Sequence, residues 1–469
     1  MDIMLQGKQN EVMALPVTGH TVVLGTAGSG KTTVAIRRAT YLANLPDRPM
    51  VLLVTFNNAL VRYINSFNDS NHSGLVVESY HKFARGYLNS RGKMPYYGGI
   101  ADKNIKRIII ERALSECMER YPDQSTLQRP VEFFFDEICF IQQFGFKNFE
   151  DYQQAERIGR SSAYLSRDNR RWVYAVYSRY LELRQNEGYS YDWDDIAYYV
   201  YCELENDPSE RRYTHIIVDE GQDFSPMMIK SLVRATRDGG SFTFFGDVAQ
   251  QIYGHRLSWR DSDIDVTKIW RFDINYRNPL AIISFAQDIT FSPYWKKDAD
   301  MIQATPLNAE GPRPVLLGFS NEERELEWMV NRAIQESQKT SVVVVCRSYE
   351  EKNRVMHRFS YHGQPVQEIN RDTPGYNNNR TIYVSTFHSV KGLEFDYVFI
   401  PFLNKDVFPN SNAVEAALTP EDAYNDELKL LYVAATRSKY GLIMSYSGEL
   451  SPLFPCNSPN YEYHTEEEL

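Results

Sequence analysis

Gly25-Thr26-Ala27-Gly28-Ser29-Gly30-Lys31-Thr32 is the stretch on which the reading of this chain turns. It fits G-x-x-x-x-G-K-[ST] and lies between a short apolar run, residues 21–24, and a helical pattern opening near Thr32. Gly25, Gly28 and Gly30 let backbone N–H groups of this loop, with Thr26, Ala27 and Ser29 between them, curl around phosphate oxygens. The helix that follows adds the positive end of its dipole. Lys31 is expected to reach the β- and γ-phosphates, and the Thr32 hydroxyl to bind Mg²⁺.

Working outward, the next strand-end feature is Val218-Asp219-Glu220-Gly221-Gln222-Asp223. A nucleotide hydrolase needs one carboxylate for the metal and another beside the attacking water. Asp219 and Glu220, adjacent after an apolar run, supply both: Asp219 for Mg²⁺, Glu220 as the base. An acidic pair alone is commonplace on solvated loops. Here it follows a buried strand pattern in a chain that already carries a phosphate loop.

Other apolar runs at residues 51–55, 216–218 and 242–245 end in polar residues, as parallel strands of an α/β sheet do. Residues 85–207 are rich in Tyr, Arg and Glu at helical spacing and read as a helical insertion. A second strand-and-helix series runs through residues 315–317, 341–346, 381–384, 397–401 and 441–446. Two α/β lobes with one helical insertion follow. The boundaries are 1–84 with 208–278 for the first lobe, 85–207 for the insertion and 279–469 for the second lobe.

The 469 residues carry a net charge of -10, which excludes a uniformly basic coat for nucleic acid; binding of that kind must use a local cleft. Five scattered cysteines form no C-x-x-C pair, so neither a zinc ribbon nor a disulfide framework is expected. The opening residues lack a signal-peptide pattern, and no apolar run approaches the roughly 18 residues of a membrane span. A cytoplasmic protein with no membrane partner is expected.

With these residues in place, the chain resembles the UvrD/Rep family of superfamily 1 helicases, motif after motif in order. Lys8-Gln9 resembles the glutamine motif, with Gln9 as the adenine reader. Residues 25–33 match Walker A, and residues 219–223 match D-E-x-Q-D. Gly246-Asp247-Val248-Ala249-Gln250-Gln251-Ile252-Tyr253-Gly254-His255-Arg256 matches G-D-x-x-Q-x-I-Y-x-x-R, and Asn275-Tyr276-Arg277 matches N-Y-R. Residues 386–395 match T-x-H-x-x-K-G-L-E-F, and residues 432–437 match Y-V-x-x-T-R.

The resemblance implies two RecA-like P-loop lobes with parallel sheets plus the helical insertion, and ATP with Mg²⁺ between the lobes. It assigns Gln250 to sensing the γ-phosphate and Arg277 and Arg437 to neutralising charge on the transferring phosphoryl group. Tyr276 stacks on adenine and Glu394 contacts the ribose. It further implies 3′→5′ travel on single-stranded DNA, with RNA left open. Phe56, Asn57, His81, Tyr253, His255 and His388 are the candidates for gripping the strand, since sequence-independent binding needs aromatic faces and backbone-tracking polar groups.

Three departures from the family pattern stand out. His255 sits where relatives usually place an aromatic, often Trp, and Thr33 sits where many carry Arg. Only about 100 residues separate Pro279 from Thr381, barely enough for the second lobe's own units, so the large regulatory insertion of UvrD-type relatives is absent there. A minimal motor follows, either unrestrained or dependent on a partner. A regulatory ATPase that senses nucleic acid and controls a partner such as a nuclease would use the same ATP site and stays open as the alternative. A non-catalytic binding module is disfavoured because Lys31, Thr32, Asp219, Glu220, Gln250, Arg277 and Arg437 are all present. Arg157, Arg160, Arg167, Arg170 and Arg171 form either a phosphate-contacting face or a solvated, salt-bridged one.

Overall fold

Strand residues 51–55 are all buried, with side chains on both faces of the sheet covered, and this is what their unbroken apolar run demands. The structure is a computed structural model. It describes residues 5–55, 61, 74–95, 99–155, 165–207, 212–247, 249, 259, 262–266, 268–296, 302–306, 311–369, 381–417 and 419–468.

The first sheet has six strands, all parallel. Their spatial order is Leu75–Ser79, Val51–Thr55, Tyr213–Val218, Thr236–Gly246, Gly19–Gly25, Ile269–Phe272. The second has seven, also all parallel. Their order is Gln367–Ile369, Ile382–Thr386, Val342–Cys346, Phe395–Ile400, Ser438–Ser447, Val315–Phe319, Glu462–Thr465. This is the α/β architecture with two parallel sheets that the sequence implies. Each apolar run of the sequence reading lies in or overlaps a strand. The strands Leu75–Ser79, Ile269–Phe272, Gln367–Ile369 and Glu462–Thr465 were not anticipated; the last three lack an unbroken apolar run, and the run Leu75-Val76-Val77 was passed over.

Helices cover both faces of the first sheet. One apolar cluster joins Leu52, Val54, Ile216 and Val218 to Tyr80, Leu88, Ile196 and Met227. The other joins Val23, Leu53 and Ile217 to Val34, Ala35 and Leu42 on the helix Lys31–Ala43. Residues 80–90 form one helix whose Tyr87 and Leu88 lie in the first-sheet core, and so do Ile196, Ala197 and Val200 of the helix Ile196–Glu205. The helices Lys103–Arg120, Val131–Phe144 and Arg170–Asn186 enclose a separate apolar cluster of their own. Asp102 caps the first of these by accepting from the Asn104 and Ile105 N–H groups, and Gly145, left-handed at φ 68°, ends the second.

Two arginines are fully committed to structure. Arg38, wholly buried, donates to the carbonyls of Val12, Met13, Leu15 and Pro16. Arg170, placed by the sequence reading on a candidate basic face, is instead buried. It donates to the carbonyls of Tyr152, Gln153 and Ala155 at 2.7, 2.9 and 2.8 Å. Three carbonyls converging on one guanidinium are a packing joint, and sequence charge alone cannot reveal them. Arg167 and Arg171 are exposed, the latter's guanidinium over the Trp172 ring. Arg157 and Arg160 lie outside the described residues. Among the described residues, no helix is long and apolar enough to cross a membrane.

Candidate nucleotide site

The phosphate loop leaves the carboxyl end of Gly19–Gly25, where ligands collect in open α/β sheets. Gly28 (φ 68°) and Gly30 (φ 81°) adopt the left-handed conformation that turns the loop into the helix Lys31–Ala43. A Cβ on Gly28 would fall 2.6 Å from Asn275 Oδ1 and 2.7 Å from Arg277 Cβ, so only glycine fits there. Lys31 is buried, its ammonium donating to the carbonyls of Gly25 (3.0 Å) and Thr26 (2.8 Å) and lying 3.6 Å from Asp247 Oδ2. Ser29 Oγ donates to Thr26 O at 2.8 Å. Thr32 and Thr33, half-buried, lie on the first turn of the helix, and Ala27 O receives a hydrogen bond from Asn275 Nδ2.

Asp219 and Glu220 follow the strand Tyr213–Val218, as expected. Asp219 is fully buried and neither carboxylate oxygen has a hydrogen-bond partner. Burial and then the neighbouring Glu220 charge push its pKa up; the nearby Thr32 hydroxyl and Lys31 pull the other way. A buried carboxylate whose burial and like-charged neighbour outweigh what the protein offers it fits a cation. Among the described residues no cluster of three or more His, Cys, Asp or Glu side chains forms a protein-only metal cage. Mg²⁺ suits such a place, because it takes one or two carboxylates together with substrate phosphates.

Glu220 sits at φ 53°, a strained backbone position for a side-chain-bearing residue. Burial raises its pKa, but Lys391, Lys31, the Gln222 amide and Arg437 outweigh burial and hold it below the ordinary value. A carboxylate kept ionised while buried is ready to accept a proton. Gln222 donates to Glu220 Oε2 at 2.6 Å and accepts from the Asp247 N–H at 2.8 Å, tying the acid cluster to the loop after Thr236–Gly246. The motif contained Gln222, but sequence reasoning gave it no role.

The second sheet closes on this cluster from the opposite side. Lys391 donates to Asp223 Oδ1 at 2.6 Å, both side chains buried. Arg437 is 2 % exposed and lies close enough to Arg277, Glu220, Glu394 and Asp247 for their charges to act on it. Burial first, then Arg277, push its pKa down to about 10, so it stays charged at neutral pH. Arg277 pairs with Glu394 through Nη2, while its buried Nη1 has no partner. Burial would raise the Glu394 pKa, but Arg277, Lys439 and Arg437 bring it below the ordinary value. Tyr276 is half-buried beside the loop, its N–H donating to Gly28 O at 3.0 Å. Gln9 is buried, donating to Ser29 O at 2.9 Å and accepting from the Gln6 N–H at 3.0 Å, so its amide braces the phosphate loop.

The structure therefore brings together Gln9, residues 25–33, Asp219, Glu220, Tyr276, Arg277, Glu394 and Arg437. Of the strand-gripping candidates, His81 lies in the first turn of the helix Tyr80–Ser90 with its ring 4.8 Å from that of Trp193, edge to face. His388 follows the strand Ile382–Thr386. Phe56, Asn57, Gln250, Tyr253 and His255 lie outside the described residues.

A phosphate loop and acid pair on one parallel sheet, faced by Lys391 and Arg437 from a second, are the layout of a two-lobed P-loop nucleoside triphosphatase. Residues 5–268 match the UvrD/REP helicase N-terminal domain and residues 367–449 the UvrD-like helicase C-terminal domain. The chain belongs to the UvrD/REP helicase family, a family of ATP-dependent helicases.

Among its relatives is a probable DNA helicase of Mycoplasma pneumoniae, 24% identical over 91% of this chain and 80% of that one. DNA helicase II of Haemophilus influenzae is 24% identical over 61% of this chain and 40% of that one. An ATP-dependent helicase/nuclease subunit of Lactococcus lactis subsp. cremoris is 26% identical over 29% of this chain and 12% of that one. The chain thus spans most of the first relative but well under two thirds of the other two.

Proposed function

We propose that this chain is an ATP-driven DNA helicase that moves along single-stranded DNA in the 3′→5′ direction, hydrolysing ATP between its two lobes. One observation carries the reading: charges from the second lobe, Lys391 and Arg437, converge on Glu220 and Asp223 of the first. In this scheme Lys31 and the loop N–H groups hold the triphosphate, with Asp219 and Thr32 holding Mg²⁺, which supplies charge neutralisation at the phosphates. Glu220 takes the proton of the attacking water, and Arg277 and Arg437 steady the negative charge that develops on the phosphoryl oxygens. Tyr276 and Gln9 frame the base and Glu394 the ribose. Gripping the nucleotide from both lobes makes closure depend on the bond that hydrolysis breaks, and the lobes part afterwards. His81 and His388, with Phe56, Asn57, Tyr253 and His255, form the strand-gripping set, and Gln250 reports the γ-phosphate to them.

The names of the relatives support DNA as the polymer. The test is ATPase activity titrated in parallel with single-stranded DNA, single-stranded RNA and duplex. Strand displacement on 3′-tailed and 5′-tailed duplexes accompanies it. Stimulation by single-stranded DNA and unwinding of the 3′-tailed substrate are expected; unwinding confined to the 5′-tailed substrate overturns the polarity. A second reading has the chain act as a nucleic-acid-sensing ATPase that controls a partner nuclease. The Lactococcus relative, part of a helicase/nuclease by name, favours it. DNA-stimulated ATPase with no strand displacement would select that reading.

A further inference from the structure

Two asparagines that no step above uses join the lobes directly behind the arginines. Asn275 (1 % exposed) ends the short strand Ile274–Asn275, and Asn278 (0 %) precedes Pro279, the N-cap of the helix Leu280–Thr290. That helix packs in the second-lobe core. Asn275 Nδ2 donates to Ala27 O of the phosphate loop at 2.6 Å and to Asn278 Oδ1 at 2.9 Å. Its Oδ1 accepts the N–H groups of Arg277 and Asn278, each at 2.8 Å. Asn278 Nδ2 in turn donates to Thr436 O at 3.1 Å and to Ser438 O, the carbonyls on either side of Arg437.

Chemistry dictates both amide orientations. Ala27, Thr436 and Ser438 offer carbonyls, which only accept, so both NH₂ groups must point outward and the two side chains must meet head to tail. All four hydrogen-bonding positions of Asn275 are filled, and three of the four of Asn278. With no exposure to water, no solvent molecule replaces a lost bond.

We propose that Asn275 and Asn278 are positioning residues: a buried strut that sets the distance between the phosphate loop and the two arginines. Asn275 orients the Arg277 backbone, and Asn278 holds the segment that carries Arg437. This inference rests on the reading of Arg437 as the residue that steadies the transferring phosphoryl group. An arginine displaced by about 1 Å loses most of its effect on the reaction while nucleotide binding survives.

The test is a cycle of Asn278→Ala, Arg437→Ala and the double variant in DNA-stimulated ATPase assays. Asn278→Ala is expected to lower kcat by about tenfold or more with KM for ATP changed less than about twofold, since the loss falls on the transition state. It is expected to cost nothing further once Arg437 is gone, because the strut has no arginine left to place. Asn278→Ser, which keeps one donor, should recover part of the loss and keeps the test available if the alanine variant folds poorly. Equal losses from Asn278→Ala with and without Arg437, or an unchanged kcat in both Asn278 variants, overturn the strut. Failure of the underlying reading looks different: Arg437→Ala alone would then retain wild-type turnover.

Discussion

Replacing Lys391 by Met removes a charge but little volume from the pair that spans the lobes. Asp223 then loses its partner at 2.6 Å in a place where neither side chain is more than 6% exposed. Breaking a buried pair by deleting one member costs about 3–5 kcal/mol when the survivor must stay charged. Asp223 need not. Burial already lifts its pKa from 3.8 to about 6 with the lysine present. A rise of that size means the ionised form subtracts about 3 kcal/mol from stability at neutral pH. Without the lysine, the pKa climbs further, by about 1–3.

A carboxyl raised in the folded state subtracts stability fully above its folded pKa and not at all below its unfolded value. The variant's extra penalty is therefore small at pH 6, about 1 kcal/mol at pH 7, and larger at pH 8 than at pH 6 by about 1–2 kcal/mol. Urea unfolding of both proteins at pH 6, 7 and 8 measures it. A difference in stability that stays flat across that range refutes the assignment of Asp223 as the group that Lys391 neutralises. The same substitution removes the charge that does most to hold Glu220 ionised against burial, so the acid limb of the ATPase pH profile should move to higher pH.

Glu220→Gln keeps shape but cannot take a proton, so turnover should fall by about 10²–10⁴ while nucleotide still binds, as followed by a fluorescent nucleotide; wild-type turnover removes Glu220 as the base. Asp219→Asn removes a charge that burial and Glu220 disfavour more than Thr32 and Lys31 favour it, so it should raise the melting temperature in the absence of Mg²⁺ while abolishing Mg²⁺-dependent hydrolysis; a lower melting temperature contradicts that balance. Arg170→Ala strands three carbonyls and should cost about 2–4 kcal/mol in denaturant unfolding, with the salt dependence of DNA binding unchanged; a flattened salt slope would put that arginine back at the polymer.

Much of the site was legible because its chemistry is local. A glycine loop, its lysine and an acidic strand end must occur at fixed spacings, and Lys31, Asp219 and Glu220 stand where those spacings put them. What escaped depends on residues far apart in the chain. Nothing near Asn278 announces Thr436, 158 positions on, and nothing near Asp223 announces Lys391, 168 positions on. Arg170 misled for the same reason: its acceptors are backbone carbonyls, which carry no residue identity. Gln9 braces the phosphate loop through Ser29 O and the Gln6 N–H, contacts that its motif does not announce. The central strands were readable from unbroken apolar runs. Glu462–Thr465, a four-residue polar edge strand, pairs on one side only and needs no such run.

The four carbonyls that end on Arg38 bear on how this protein can be cut. Residues 12–16 look like a dispensable lead-in to the first strand, yet their carbonyls solvate a guanidinium that the helix Lys31–Ala43 carries inside the fold. A fragment starting at residue 17 would leave that cation stripped of most of its acceptors in an apolar interior, on the same helix that carries Lys31. Shortening the amino end past that point would therefore weaken nucleotide affinity twice over, by removing Gln9, which braces the phosphate loop, and by unseating the helix behind that loop.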